Sequence, residues 1–460
     1  MRLAVGNEQI ESASGFEGLP ALLWYKAAGL PLPVTLRQNP GNSALCLPDL
    51  MNRGFYTILA AQFFSALADN ALLFAAIALL ASLHAPAWQT PVLQQFFVFA
   101  YIVLAPFVGP FADSLPKGRV MFVANAVKLA GCLAMLLGMH PLFAYGIVGV
   151  GAAMYSPAKY GILTEYLPHQ RLVFANGWME GLTVAAIILG AILGGIVLGP
   201  EFADYVLKHG ELPGVDLWID TAPEVAIVCI LTLYFVAAII NLYIPKVAID
   251  HRLPKRNPLF ILQDFWHSLS LLWRDPLGQV SLAVTTLFWG AGATLRLIVL
   301  TWAALALKFD LKRATQLTAV VAVGIALGSI LAAKYVSLQR AVRVLPVGIA
   351  MGLVVVSMMF VTDWRVAIGL LVLVGAMGGY FVVPMNALLQ HRGHLLMGAG
   401  HSIAVQNFNE NLSILLLLGI YALMIKSELS MNSMIVAFGL FITTTMAWIT
   451  IKHWHDQDPQ

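Results

Sequence analysis

Seven ionisable side chains stand inside long apolar runs of this 460-residue chain: Asp69, Lys128, Lys159, Glu180, Arg296, Lys334 and Glu410. A charge at the centre of a membrane helix costs at least about 2.5–3.5 kcal/mol on insertion scales, so each needs a partner, water or a task. Asp69, beside Asn70, falls near the middle of the first run, and Arg296 falls in the seventh. Aligning Phe64 with Phe288 places Arg296 within one helical turn of the position equivalent to Asp69. That predicts opposite charges facing a common cavity, or a structural ion pair. Lys159 follows Pro157, and a proline in a membrane helix is tolerated where the helix lines a cavity. Glu180 follows Asn176 by four residues, so the two share a helix face. Gln406 and Glu410 repeat that spacing, as do Asn407 and Asn411. Such faces suit polar cavity walls, a proton-carrying carboxylate, or interhelical hydrogen bonds. Lys128 and Lys334 have stems long enough to snorkel to an interface, and that is the reading given to them here.

The elements that position these groups follow from composition. Only 11% of residues are charged and 60% are hydrophobic, against about 25% charged in a soluble domain. So few charges cannot cover an aqueous surface of this size; lipid is the solvent. A net charge of +3 does not imply a nucleic-acid partner. Cys46, Cys132 and Cys229 match no metal or redox spacing. His391, His394 and His401 are loosely spaced near a helix connection and are read as interfacial, with no metal site.

A spanning helix needs about 20 mostly apolar residues. Twelve such stretches are predicted, near 54–82, 92–113, 119–138, 141–164, 171–198, 222–245, 277–307, 313–336, 341–361, 365–389, 397–425 and 431–452. The organisation is therefore all-α and polytopic. Residues 1–52 form a polar, Pro- and Gly-rich extension expected to be disordered. Residues 53–245 are a first six-helix half, 246–276 a basic linker, 277–452 a second half and 453–460 a tail. Within the linker, 259–273 is predicted to be an amphipathic helix lying on the membrane surface. Loop lysines and arginines place both termini and the linker on the cytoplasmic side. Gly151 and Pro157 in the fourth stretch recur as Gly378 and Pro384 in the tenth, which predicts two related halves. Gly190-x3-Gly194 and Gly324-x3-Gly328 predict close helix packing.

The connection GPFADSLPKGR at 109–119 carries Gly109, Asp113, Gly118 and Arg119. It resembles the signature loop of the major facilitator superfamily. That resemblance implies two pseudo-symmetric six-helix halves that alternate access to a central site, with this loop as a conformational gate.

Five further segments place unusual polar residues in apolar helices: AQFFSALADNALLF at 61–74, YSPAKYG at 155–161, FWGAGATLR at 288–296, VVPMNALLQ at 382–390 and AVQNFNEN at 404–411. Together they resemble the bacterial lysophospholipid transporters, across essentially all of 53–452. The resemblance implies inward movement of lysophosphatidylethanolamine across the inner membrane to an acyltransferase partner, with no cofactor and no enzymatic activity of its own. It implies a substrate site drawn from Asp69, Asn70, Lys159, Glu180, Arg296, Asn386, Gln406, Asn407 and Glu410. The head group has one phosphate and one ammonium. Arg296, alone or with Lys159, suits the phosphate, since a planar guanidinium holds two oxygens at once. Asp69 suits the ammonium. Phe63, Phe64, Met154, Trp289 and Phe381 are candidates for the acyl-chain route, or for ordinary packing.

The alternative on the same fold is a proton-coupled exporter of drugs or metabolites. Gly181, Gly190 and Gly194 keep part of an antiporter motif in helix five, but Gly195 stands where its proline belongs. No phosphate-cradling Gly-Lys-Ser/Thr loop is present, so ATP is not implied.

Overall fold

The computed structural model describes residues 53–86, 89–209, 220–247, 257–309 and 311–453. The expected N-terminal extension, most of the terminal tail and part of the basic linker lie outside the described residues. The described chain forms fourteen α-helices: α1 (Arg53–Ser82), α2 (Gln89–Ser114), α3 (Lys117–Leu136), α4 (Pro141–Tyr166), α5 (Leu172–Val197), α6 (Pro200–His209), α7 (Ala222–Leu242), α8 (Pro258–Arg274), α9 (Pro276–Ala306), α10 (Leu311–Tyr335), α11 (Leu345–Ser357), α12 (Trp364–Met397), α13 (Ala399–Lys426) and α14 (Met431–Lys452). The short α6 and the linker helix α8 are too short to span, whereas α11 reaches spanning length with the 3-10 turns on either side, over Leu338–Phe360.

Eleven helices among the described residues are long and apolar enough to cross a membrane by length and composition. The remaining expected span is α4. It has 26 residues, but its glycines, tyrosines, Pro157 and Lys159 dilute its hydropathy. Its inner face is largely buried against α2 and α3, so it is a helix of the bundle interior.

Several helix ends are set by local chemistry. Asn257 accepts the N–H of Leu259 at the start of α8, and Asp275 accepts that of Gly278 at 2.8 Å at the start of α9. Such caps satisfy N–H groups that the helix leaves without partners. Gly398, at φ 99°, separates α12 from α13; a side chain is disfavoured there, and the chain reverses within one residue. The α12 helix therefore runs two turns beyond its expected end at 389.

The contacts between halves are reciprocal. Helix α2 packs on α13 and α5 packs on α10. The second helix of each half thus meets the fifth of the other, as two related halves require. Within each half, glycines permit the close crossings. A Cβ on Gly190 would lie 3.0 Å from the Leu67 carbonyl, which brings α5 against α1. A Cβ on Gly324 would lie 3.0 Å from the backbone of Gly375 and Ala376, which brings α10 against α12. Both Gly-x3-Gly pairs sit at these crossings. The amphipathic α8 buries Phe265, Ser268 and Leu272. Its apolar face packs against Ala105, Leu282, Leu389 and Val405 rather than resting on lipid alone.

Candidate functional site

The polar residues gather in three layers, counted from the face that carries the 115–116 turn and the Gly398 break. The outermost layer is the 109–119 connection. Lys117 Nζ lies 2.6 Å from Asp113 Oδ1 and 3.1 Å from Glu165, and also donates to the Ala112 carbonyl at 2.8 Å. Asp113 in turn accepts the backbone N–H of Gly400 at 2.8 Å and of His401 at 3.1 Å. His401 Nδ1 sits 2.6 Å from Asp113 Oδ2. His401 Nε2 lies 3.2 Å from Asp264 on α8, in ion-pair reach but without hydrogen-bond alignment. One carboxylate thus ties α2, α3 and the N-terminus of α13, where backbone N–H groups favour an anion. The glycines have separate tasks. A Cβ on Gly109 would meet the His401 Cα at 3.0 Å, and one on Gly118 would meet the Asn241 carbonyl at 2.8 Å. Arg119 is exposed; Lys117 is the cation that engages Asp113.

The middle layer joins the halves. Asn176 and Gln390 exchange two amide hydrogen bonds, each 2.8 Å. Glu180 Oε1 accepts the Tyr160 hydroxyl at 3.0 Å and the Asn386 amide at 3.4 Å. Gln406 Nε2 donates to Asn386 at 2.9 Å and to Glu410 at 2.7 Å. Asn407 donates to Ser156 at 2.9 Å. All five of the expected residues Glu180, Asn386, Gln406, Asn407 and Glu410 are buried here. Glu180, Asn386, Gln406 and Asn407 form interhelical hydrogen bonds, one of the readings their spacing left open, while Glu410 is held by Gln406 on its own helix.

The third layer is a cavity of about 270 Å³ lined by α1 to α5. Asp69, Asn70 and Lys159 all line it, as do Gln62, Tyr101 and Lys128. Asn70 donates to the Ala66 carbonyl at 2.8 Å. Lys159 Nζ stands 4.1 Å from the centre of the Tyr160 ring, a cation–π distance. Asp69 is held from two sides: Lys128 Nζ lies 2.8 Å from Oδ2, and the Tyr234 hydroxyl donates to Oδ1 at 2.7 Å.

Three expectations change. Arg296 does not join Asp69; it is exposed on α9 and does not line the cavity. The partner of Asp69 is Lys128, which is fully buried and does not snorkel. Lys334 is exposed, as a snorkelling lysine would be. His401 is buried in the outer layer, not solvated at an interface. Equal depth along two helices was readable in the sequence, but rotation about each helix axis was not. Lys128 did carry one signal: a lone lysine within an apolar run has to find an anion, and Asp69 is the acidic group of the same half at that depth.

The sequence model of the Major Facilitator Superfamily matches residues 58–418. The chain belongs to that superfamily. The "Lysophospholipid transporter LplT" of Yersinia enterocolitica serotype O:8 / biotype 1B is 46% identical over 384 residues, covering 83% of this chain and 90% of the relative. The protein of the same name in Yersinia pestis strain Pestoides F is 45% identical over 391 residues, 85% of this chain and 90% of the relative. Among solved structures, the superfamily transporter FucP in its outward conformation superposes with a TM-score of 0.69 at 13% identity, covering 90% of this chain and all of that one. A bacterial homologue of the iron transporter ferroportin gives 0.66 at 14%, covering 87% and 99%. Those structures show the fold. The closer relatives place the chain in the lysophospholipid transporter branch of the superfamily, whose members are transporters and not enzymes.

Proposed function

We propose that this protein carries lysophosphatidylethanolamine inward across the bacterial inner membrane, handing it to an acyltransferase that restores the second chain. The observation that carries this reading is the cavity, where an anion and a cation face one space: Asp69 and Lys159. A phosphoethanolamine head presents the complementary pair. Lys159 takes the phosphate and Asp69 the ammonium, with Asn70 beside them. Arg296, exposed on α9 and outside this cavity, takes no part in holding the head group there. The names borne by the relatives support the lipid class.

Transport follows from alternating access of the halves at 53–245 and 277–452, both termini being cytoplasmic. The Asp113 layer and the Asn176–Gln390 layer close the cytoplasmic side. Glu180, Asn386, Gln406, Asn407 and Glu410 line the path that opens when these contacts part. An acyl chain stays in an apolar place while the head moves, and the cavity wall supplies Phe97, Leu73 and Ile187 beside its polar groups. The test is uptake of labelled lysophosphatidylethanolamine by proteoliposomes containing wild type, Asp69→Asn or Lys159→Met. Loss of uptake with retained folded yield supports the assignment. Normal uptake in both variants overturns it.

A further inference from the structure

Lys128 occupies an unusual position for a cation. It is fully buried in the middle of α3, and its stem touches no interface. Its ammonium lies 2.8 Å from Asp69 and 3.1 Å from the Ser65 hydroxyl. It also stands 4.8 Å from the centre of the Tyr155 ring and 5.5 Å from that of Tyr234. A carboxylate, a hydroxyl and two aromatic faces are what a protein uses to hold a primary ammonium. The chain has filled such a site with its own side chain.

The two charges differ in exposure. The Asp69 side chain is 24% exposed, and that of Lys128 is 1% exposed. Both groups line the cavity, and the carboxylate is the more accessible of the two. Lys128 and Tyr234 use one oxygen each, and an ionised carboxylate has about four acceptor sites. An ammonium arriving from the cavity finds acceptor room on Asp69 and shares the carboxylate with Lys128. It then feels attraction from Asp69 and repulsion from Lys128, 2.8 Å from the same carboxylate.

We propose that Lys128 is a specificity-determining residue: by sharing Asp69 it limits the cavity's hold on an amine-bearing head group, so that such a lipid is released as readily as it is taken up. The inference rests on the lysophospholipid reading above. A lysine that only neutralised a buried acid would affect folding and nothing in the choice between head groups.

The experiment uses the full chain in proteoliposomes and two lipids, lysophosphatidylethanolamine and lysophosphatidylglycerol, which lacks the amine. KM and maximal rate are measured for wild type, Lys128→Met and Lys128→Arg. For these and for Asp69→Asn and the Asp69→Asn/Lys128→Met double variant, which the reading above expects to lose uptake, the affinity of the purified protein for each lipid is also measured, and its ratio between the two lipids is compared. In Lys128→Met the KM for the amine-bearing lipid falls relative to the glycerol lipid by about tenfold, as repulsion between two cations on one carboxylate is removed. Its maximal rate falls too, since release slows. Lys128→Arg restores the wild-type ratio. Asp69→Asn and the double variant give equal ratios, because Lys128 acts through Asp69; this comparison also decides the matter if Lys128→Met alone does not fold. An unchanged ratio in Lys128→Met, or a Lys128 effect that persists without Asp69, overturns the proposal while leaving the lipid reading intact. A wild type that moves neither lipid overturns the lipid reading, and the proposal with it.

Discussion

Asp113 Oδ2 lies 2.6 Å from Nδ1 of His401, a residue 288 positions further along the chain. This contact joins the end of α2 to the first turn of α13, and so one half of the protein to the other. The ring's second nitrogen faces Asp264 on the linker helix. The ring faces carboxylates from two elements, one aligned as a hydrogen bond and one within ion-pair reach. Linker, gate loop and second half thus meet at one side chain.

Replacing His401 should loosen that closure. His401→Ala leaves Asp113 with Lys117 and two backbone donors but removes the link to Asp264. Accessibility of cysteines placed on the neighbouring face of α4 to a membrane-impermeant thiol reagent should rise several-fold. Asp113→Asn, which weakens the Lys117 and His401 contacts together, should raise it further. Labelling unchanged in both variants would show that the layer does not hold the halves closed.

The Asn176–Gln390 pair predicts a non-additive cycle. Either single alanine strands one buried amide, at a cost of about 1–3 kcal/mol. The double variant strands neither and should cost less than the sum of the singles. Thermal melting of purified protein in detergent reads this directly, and simple additivity would argue that the two amides act independently.

Packing at the α10–α12 crossing gives a steric prediction. A Cβ at Gly328 would be driven into the Ala376 backbone, 2.7 Å from its carbonyl carbon, with no flexible side chain to yield. Gly328→Val should therefore destabilise by about 1–3 kcal/mol or more. Gly181 faces open space, and Gly181→Ala should leave the melting temperature within a degree or two. Equal tolerance at both sites would contradict the crossing.

Acid stability should report on Asp275. Burial alone would raise this carboxyl, but the Arg392 guanidinium and the Gly278 N–H outweigh it and hold it below the usual carboxylate range. A carboxyl lowered in the folded state stabilises above its unfolded value, about 3.9, and that contribution disappears as pH falls through the folded value. Wild type should lose this increment below about pH 4. Asp275→Asn should lack it already at neutral pH and show a shallower acid decline. Parallel acid profiles for the two proteins would count against the pairing.

Much of this arrangement was legible in the chain. Apolar runs located the spanning helices, and Gly-x3-Gly pairs located two crossings. The spacing of Asn176 and Glu180 marked a face that bonds to the other half, and that of Gln406 and Glu410 a face that bonds to Asn386 in the same layer. Pairing was less legible. Asp69, Arg296 and Lys128 all lie deep in helices, and depth follows from counting along a run. Which of them face one another depends on helix rotation, which only packing sets. His401 looked interfacial because it begins a helix. Its partners come from the end of α2, nearly three hundred residues earlier, and from a linker helix whose docking its own periodicity could not specify.

The central claim is that this superfamily member moves a lysophospholipid by its head group through a cavity built on Asp69 and Lys159. The most direct measurement loads labelled lysophosphatidylethanolamine into the outer leaflet of cells lacking any other route for it and follows transfer to the inner leaflet. The account predicts inward transfer with wild type and its loss with Asp69→Asn and Lys159→Met at equal membrane abundance. Absence of protein-dependent transfer, or transfer undiminished in both variants, would contradict it.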